Sequence, residues 1–213
     1  LLVARHSCRA FLPEHIPQAT IERILSAAQR VPSWCNSQPW KVTIATGEVV
    51  TELSAQLFAA RMQGMEEPDV AFPETYKNEY KVRRSVCGWQ LYNAVGIAKG
   101  DREASMAQMM ENYKFFGAPH VAIIHSPSEL GAYGALDCGA FITGFTLAAQ
   151  AMGIAPIPQA AIAGRGPVVR DFFGIPKDRD ILCAISFGYS NTDHPANQFR
   201  TERAGLSEFV DWA

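Results

Sequence analysis

The sequence predicts a layered α+β or α/β domain with a small central sheet. Three apolar runs, at about 40–46, 120–125 and 181–187, are typical of buried strands, and helical patterns separate them. The 213 residues suit a single domain. Hydrophobic residues make up 48% of the chain and charged residues only 19%, so it can build a sizeable core.

The first part of the chain alternates helix and strand. Pro17 opens a helix that runs to about Arg30, because apolar side chains recur there at helical spacing. A polar loop follows, and then the strand Lys41–Thr46, which Gly47 ends. Glu48–Gln63 is predicted to form an amphipathic helix.

The segment at about 63–85 differs in composition from its surroundings. It carries two prolines, many charged residues and three of the chain's aromatic residues. Within a compact domain such a segment predicts an insertion or lid rather than core.

The rest of the chain supplies two further strands and ends in a polar C-terminal arm at about 191–213. The predicted elements, in chain order, are a helix at Val86–Ala98, a helix from its cap Asp101 to about Lys114, a strand at His120–His125, a helix at Gly131–Gly153, an extended apolar stretch at Ile154–Ala161, a helix at Val168–Phe173, a strand at Ile181–Phe187 and a short helix at Leu206–Trp212.

One uncharged segment, Cys138–Gly164, is long enough to cross a bilayer. Pro156 and Pro158 interrupt it, so its helical part should end near Gly153. We therefore expect a fully buried core helix, for which a partner subunit could supply part of the cover, and no membrane association. No signal peptide is expected, since arginines break up the N-terminal segment.

Charge and cysteine usage exclude several classes of protein. A net charge of −2 argues against binding nucleic acid or anionic membranes through the whole surface. Five widely spaced cysteines without a CxxC motif favour reduced, mostly buried thiols in a cytoplasmic protein. The histidines lack metal-ligand spacing, and neither a Rossmann glycine motif nor a P-loop is present.

Two short segments carry candidate chemistry. Arg5–Phe11 places two arginines four residues apart with His and Ser between them, which suits a phosphate, although a solvated basic segment would look the same. Pro32–Trp40 combines two prolines, small hydroxyls, two amides and two indoles. This rigid polar loop could hold a planar, hydrogen-bonding ligand, or it could be a helix-to-strand turn around a buried indole.

Five segments in sequence order carry a family resemblance. They are Arg5-His6-Ser7-x-Arg9-x-Phe11, Pro32-Ser33-x-x-Asn36-x-Gln38-Pro39-Trp40, Asn112–Pro119, Gly153–Ala161 followed by Phe173-Gly174-Ile175-Pro176, and Asn197–Arg203. Together they resemble the FMN-dependent nitroreductase family, in particular its nitrobenzoate-reductase-like branch. The resemblance implies a three-layer α/β/α fold with a small, mostly antiparallel sheet, in a domain-swapped homodimer with two FMN sites at the subunit interface.

The resemblance also implies roles for individual residues. Arg5 and Ser7 would hold the phosphate and ribityl end of FMN, and Arg203 would add a second phosphate contact. Arg9 and Lys114 would lie near the pyrimidine edge, where a cation favours flavin reduction. The full set of implied cofactor-binding residues is Arg5, His6, Ser7, Arg9, Pro32, Ser33, Asn36, Asn112, Lys114, Pro158, Gln159, Ala160, Ala161, Arg200 and Arg203.

Within that set, the Pro32–Asn36 residues would come from the other subunit. Residues Pro158–Ala161 would line one flavin face and place a backbone N–H near N5. No side chain is implied as a catalytic acid or base, because the flavin carries the chemistry.

The implied reaction is hydride transfer from NAD(P)H to FMN, followed by a ping-pong transfer to a nitroaromatic or quinone. The candidate residues of the substrate cleft are Trp34, Phe72, Tyr76 and Tyr80, with Trp89 and Tyr92 as further aromatic candidates; core packing is the alternative for each. Trp34 and Cys35 depart from the small residues expected in the loop. A flavin-dependent reductive dehalogenase or oxidase on the same scaffold, or a non-catalytic FMN-binding sensor, remain alternatives.

Overall fold

The computed structural model describes all 213 residues as seven helices and four strands. The helices are α1 (Gln18–Ala28), α2 (Glu48–Met62), α3 (Asn78–Ala94), α4 (Arg102–Met110), α5 (Gly131–Ala151), α6 (Ala160–Ala163) and α7 (Gly166–Phe173). The strands are β1 (Lys41–Thr46), β2 (His120–Pro127), β3 (Ala155–Gln159) and β4 (Arg179–Gly188).

All four strands pair antiparallel in the order β1-β2-β4-β3. Successive side chains of a strand point to opposite faces of the sheet. Accordingly, Val121 and Ile123 belong to one buried cluster, with α2 and α7, while Ala122 and Ile124 belong to a second, with α1 and α5. The predicted three-layer fold with a small antiparallel sheet is therefore confirmed.

β3 is the fourth strand, formed from the stretch that the sequence indicated only as extended. It contains Pro156 and Pro158, and it lies at an edge of the sheet. In an antiparallel pair only alternate residues point their N–H groups at the neighbouring strand. Two prolines at alternate positions can therefore face outward without removing a bond to β4.

Three predicted helix boundaries differ from the structure. α3 begins at Asn78, inside the predicted lid, and none of its residues is buried. α4 ends at Met110 and continues as a 3₁₀ turn to Gly117, within which Phe115 and Phe116 adopt positive φ values of 53° and 55°. The predicted helix at Leu206–Trp212 is wrong, since only Leu206–Glu208 forms a short 3₁₀ turn.

The segment before α3 is docked over its first half. The Glu67 N–H donates to Gly164 O at 2.9 Å, and the Phe72 ring packs against Gly164. Asp69 accepts hydrogen bonds from Arg170 Nη2 at 2.7 Å and from Ile181 N–H at 2.7 Å. Only the part from Pro73 onward is continuously exposed, so a lid, which stays a prediction, would have to move there.

The expectation that α5 is fully buried is only partly met. Its inner face packs in the core, and Gly144 lets α1 approach so closely that an added Cβ would lie 3.1 Å from Ala28 O at the end of α1 and 2.5 Å from the side chain of Val31 just after it. By length and composition α5 and its preceding turn could cross a membrane, but 44% of that window is buried in the domain. Tyr133 and Leu136 stay 58% and 67% exposed. α5 is thus a core helix that also presents apolar side chains to the surface.

The five cysteines are all free thiols, as the sequence indicated. Cys8, Cys138 and Cys183 are buried, Cys87 is half-buried and Cys35 is exposed. Burial raises the pKa of Cys138 to about 11 and that of Cys183 to about 12. These two thiols are therefore packing groups rather than nucleophiles.

Two buried histidines predict an acid-sensitive fold. Burial lowers the pKa of His120 and of His125 to about 4, with further lowering by His15 and by Arg179 respectively. Since these values lie below the value of about 6.5 for an unfolded histidine, the unfolded chain binds more protons between those limits. The free energy of unfolding should therefore fall as the pH drops from about 6.5 towards 4.

Urea midpoints at pH 7.5, 6 and 5 check this expectation. His125 Nδ1 accepts a hydrogen bond from Arg179 Nε at 2.6 Å, which protonation would break. A His125→Asn variant keeps an uncharged acceptor and should lose less stability on acidification than the parent. Equal pH dependence in both proteins would contradict the role given to His125.

Candidate functional site

The N-terminal segment runs along the edge of the sheet next to β3 and the end of β4. The Cys8 N–H donates to Pro156 O at 3.2 Å, and the Leu12 N–H donates to Tyr189 O at 2.9 Å. The outward-facing side of β3 that carries the prolines is thus partly covered by the chain's own N-terminus. These bonds fix where the first arginines lie.

Asn197 joins the N-terminal segment to the C-terminal arm. Its side chain is 5% exposed, accepts from the Arg9 N–H at 2.7 Å and donates to Ala10 O at 2.9 Å and Asn191 O at 2.8 Å. Because this one amide group hydrogen-bonds both segments, it fixes their position relative to each other. The arginines of the two chain ends are brought together in this way.

A pocket of about 820 Å³ opens between the two chain ends. The predicted site residues that line it are Arg5, His6, Ser7, Arg9, Pro158, Arg200 and Arg203. The structure therefore brings together seven residues that the family resemblance had assigned to the cofactor, from three distant parts of the sequence.

Other lining residues were not foreseen. Ile142, Thr143 and Thr146 of α5 form one wall, and Cys87 of α3 contributes another part of the lining. The available signal was two hydroxyls three residues apart in the uncharged, largely apolar part of the helix that follows Asp137. Cys87 gave no such signal, because its place depends on how α3 packs.

The pocket is strongly cationic. Its four arginines take part in none of the chain's three ion pairs. Their hydrogen bonds go to uncharged oxygens, such as that from Arg200 Nη1 to Asn197 O at 2.7 Å and that from Arg203 Nη1 to Thr201 Oγ1 at 2.7 Å. Burial lowers the pKa of His6, and the charge of Arg200 lowers it further. Four guanidinium groups without a carboxylate suit an anion with several oxygens, such as a phosphate.

The side chains of Gln159 and Asn112 are turned into the protein. Gln159 is 3% exposed, accepts a hydrogen bond from Ser186 Oγ and donates to Asn112 O at 2.9 Å. Asn112 Nδ2 donates to Met109 O at 3.0 Å. These bonds leave the backbone after β3, rather than the amide of Gln159, available to a ligand.

The remaining predicted contacts of this group lie outside the pocket lining. Lys114 forms an exposed ion pair with Glu111 at 2.7 Å. Ala160 is exposed and Ala161 half-buried at the start of α6, directly after β3. Their contacts with a flavin stay predictions.

The Pro32–Trp40 loop lies apart from the pocket of its own chain, since none of its residues lines it. Its centre is a 3₁₀ turn at Trp34–Asn36, and Ser33 Oγ accepts from the Gln38 N–H at 3.0 Å. Pro32 and Asn36 are exposed. Pro32 and Asn36 are thus presented at the surface with Ser33 half-buried, and none of the three lines the arginine pocket.

Asp137 of α5 anchors this loop, a role that no sequence pattern indicated. Both of its carboxylate oxygens accept from the Trp34 N–H at 3.1 Å, and Oδ2 also accepts from Ser37 Oγ at 3.3 Å. The Trp34 ring lies 5.1 Å from that of Tyr133. The loop is therefore docked on α5.

The four predicted cleft residues do not reach the arginine pocket of the same chain. Phe72 packs against Gly164, and Trp34 lies on α5. Tyr76 and Tyr80 are exposed, with the guanidinium groups of Arg84 and Arg83 at 5.3 and 6.0 Å from their ring centres. Any cleft that they shape must be completed by other chain segments.

The fold and the site define an α/β/α protein whose two chain ends form a cationic pocket beside a small antiparallel sheet. The chain belongs to the nitroreductase family: the family model described as "Nitroreductase family" matches residues 2–189. The family resemblance drawn from the sequence is thereby confirmed.

Curated relatives match along nearly the whole chain. Nitroreductase NfnB of Mycolicibacterium smegmatis is 34% identical over 209 residues, covering 98% of this chain and 89% of its own length. A 4-nitrobenzoate reductase of Pseudomonas putida is 31% identical over 210 residues, covering 99% and 92%.

Solved structures agree. The FMN-dependent nitroreductase NfnB from Mycobacterium smegmatis, in complex with NADPH, superposes with a TM-score of 0.95 at 33% identity, covering 100% of this chain and 96% of that one. The FMN- and NADPH-dependent nitroreductase NfnB from Sphigopyxis sp. strain HMH gives a TM-score of 0.96 at 31% identity, with the same coverage.

Proposed function

We propose that this protein is an FMN-dependent nitroreductase that passes electrons from NAD(P)H to nitroaromatic compounds. The observation that carries the proposal is the pocket with four arginines and no carboxylate partner. A phosphate group supplies the charge and the oxygens that such a pocket lacks. The relatives described as FMN- and NADPH-dependent nitroreductases, which share the whole fold, support the same cofactor and donor.

Different residues of the pocket bind different parts of FMN. Arg5 and Arg203, at the two chain ends, bind the phosphate, and the Ser7 hydroxyl adds a neutral contact. Arg9, whose guanidinium lies 5.9 Å from the Phe199 ring centre, supplies positive charge deeper in the site. Pro158 gives an apolar wall. When bound, FMN supplies the redox chemistry by accepting two electrons from the nicotinamide donor and passing them on.

We further propose a homodimer in which each copy lends its Pro32–Trp40 loop to the pocket of the other. Within one chain no residue of the loop lines the pocket, which supports a loop that contacts the ligand of the other copy. Several large apolar residues are exposed, as expected of an interface, and they are Leu2, Val86, Tyr133, Leu136, Leu206, Phe209 and Trp212. A cytoplasmic location fits the free thiols.

A ping-pong cycle is proposed because donor and acceptor would use the same side of the flavin in turn. Quinones are proposed as further acceptors, since they are planar and also accept two electrons. Parallel lines in double-reciprocal plots at several fixed acceptor concentrations would support this scheme. Intersecting lines would require donor and acceptor to bind together.

The purified protein tests the proposal directly. It should be yellow, NADPH should bleach the flavin absorbance under anaerobic conditions, and 4-nitrobenzoate should restore it. A colourless protein that takes up no added FMN would overturn the proposal. Persistent colour with no reduction by NADH or NADPH would instead indicate a flavin-binding protein without turnover.

A further inference from the structure

Asp137 is a buried acid that none of the functions above uses. It is 7% exposed, and it forms no ion pair with any Lys, Arg or His of the chain. Burying a carboxylate costs free energy unless hydrogen bonds compensate it. Its partners should therefore explain why it is there.

Those partners all belong to the Pro32–Trp40 loop. The backbone N–H of Trp34 bridges both carboxylate oxygens, and the Ser37 hydroxyl donates to one of them. The two donors lie at the two ends of the 3₁₀ turn, of which Trp34 is the first residue and Ser37 the C-cap. Hydrogen bonds to an ionised carboxylate are stronger than neutral ones, so Asp137 acts as a cap supplied from 100 residues further along the chain.

The loop needs such a restraint because its backbone is strained. Cys35, Asn36 and Gln38 have φ values of 50°, 57° and 46°, in the left-handed region that residues other than glycine rarely occupy. Sparsely populated conformations persist only where the surroundings impose them. At the far end of the loop, Arg179 Nη2 donates to Pro39 O at 3.2 Å, so both ends are held by charged groups.

α5 carries this restraint on a continuous face. Tyr133, Asp137 and Phe141 are spaced by four residues and so lie one above another. Tyr133 contacts the Trp34 ring, and Phe141 stacks on Trp40 with ring centres 5.3 Å apart. These contacts fix the position of the loop along α5, while its Asn36 and Gln38 side chains stay exposed.

We propose that Asp137 is a positioning residue that holds the strained loop in the conformation in which it binds the flavin of a second copy. This inference rests on the proposed FMN binding by a homodimer. Asp137 itself does not touch the ligand. Its effect passes through the loop residues that it presents, Ser33 and Asn36.

Asp137→Asn is the sharpest test, because it keeps the size of the side chain but removes the charge and turns an N–H₂ group towards the Trp34 donor. We expect the dissociation constant of FMN to rise at least tenfold. The visible circular dichroism of bound flavin should also change, since the loop would no longer hold one arrangement. Asp171→Asn is the matched control: it removes one exposed carboxylate of α7, which makes no side-chain bond, and should leave both readouts unchanged.

A double-mutant cycle separates positioning from general stability. If Asp137 acts through the loop, Asp137→Asn combined with Asn36→Ala should weaken FMN binding by clearly less than the product of the two single effects. Combined with Arg203→Ala, which removes a phosphate contact that Asp137 does not position, the effects should multiply. Multiplicative behaviour in both cycles would overturn the positioning role.

Two further outcomes keep the inference distinct from the proposed function. A parent protein that binds no FMN would contradict the proposed function. If the parent binds FMN and the dissociation constant of Asp137→Asn is within twofold of the parent value, only the inference is contradicted. If Asp137→Asn does not fold, Ser37→Ala removes a single bond to the same carboxylate. It should weaken FMN binding by two- to threefold with the same spectral change, and unaltered binding would contradict the role of Asp137.

Discussion

Arg203→Ala is expected to weaken FMN binding by roughly tenfold to a hundredfold. Arg203 lines the pocket, and its hydrogen bonds reach only Thr201 and the Glu202 backbone. Its positive charge therefore pairs with no carboxylate of the chain. Hydrogen bonds that involve a charged group contribute about 1.5–3 kcal/mol. At about 1.4 kcal/mol for each factor of ten, that range gives the expected loss.

The measurement is a fluorescence titration of FMN and, in parallel, of riboflavin, which lacks the phosphate. The parent should prefer FMN strongly, and the variant should lose most of that preference while its riboflavin affinity barely changes. Arg102→Ala serves as the control, since it removes an equal charge from an exposed position at the start of α4. Equal losses for both flavins would show that Arg203 supports the fold of the arm rather than the phosphate.

Sequence alone was informative about the arginine pocket because the chemistry is local. Arg5, Ser7 and Arg9 occupy one short segment, and each residue type already indicates what it can bind. The pairing of this segment with the arm depends on one buried amide, that of Asn197, which spans 188 residues to the Arg9 N–H. Only the resemblance to a family, not the residue pattern, could bring the two ends together.

Asp137 could not be found in this way. Its role depends on a contact with Trp34 across 103 residues, and nothing near it in the sequence shows which segment will lie against that turn of α5. The same limit explains α3. A helix without a buried face has no apolar periodicity over its charged first half, so the pattern placed its start eight residues too late.

Composition alone does not show which part of the predicted lid is docked on the domain. Prolines and charges at 63–85 indicate a segment outside the core. One of those charged residues nevertheless holds the segment against the domain. The Asp69 carboxylate, 18% exposed, meets the 13% exposed Arg170 guanidinium and also satisfies the first N–H of the apolar run of β4. A charged residue in a surface segment can therefore be the reason that the segment stays in place.

Asp69→Ala should accordingly lower the free energy of unfolding by about 2–3 kcal/mol. The change leaves Arg170 without its counter-ion and the Ile181 N–H without its acceptor, and both stay largely covered. Urea denaturation measures the loss, with Glu67→Ala as the control, because the Glu67 side chain makes no hydrogen bond and only its backbone N–H does. Asp69→Asn keeps an acceptor for Ile181 and should fall between the two. If Asp69→Ala were no less stable than Glu67→Ala, the docked half of the segment would be held by Phe72 and the backbone alone, and the whole of 63–85 could then move as the lid that its composition suggests.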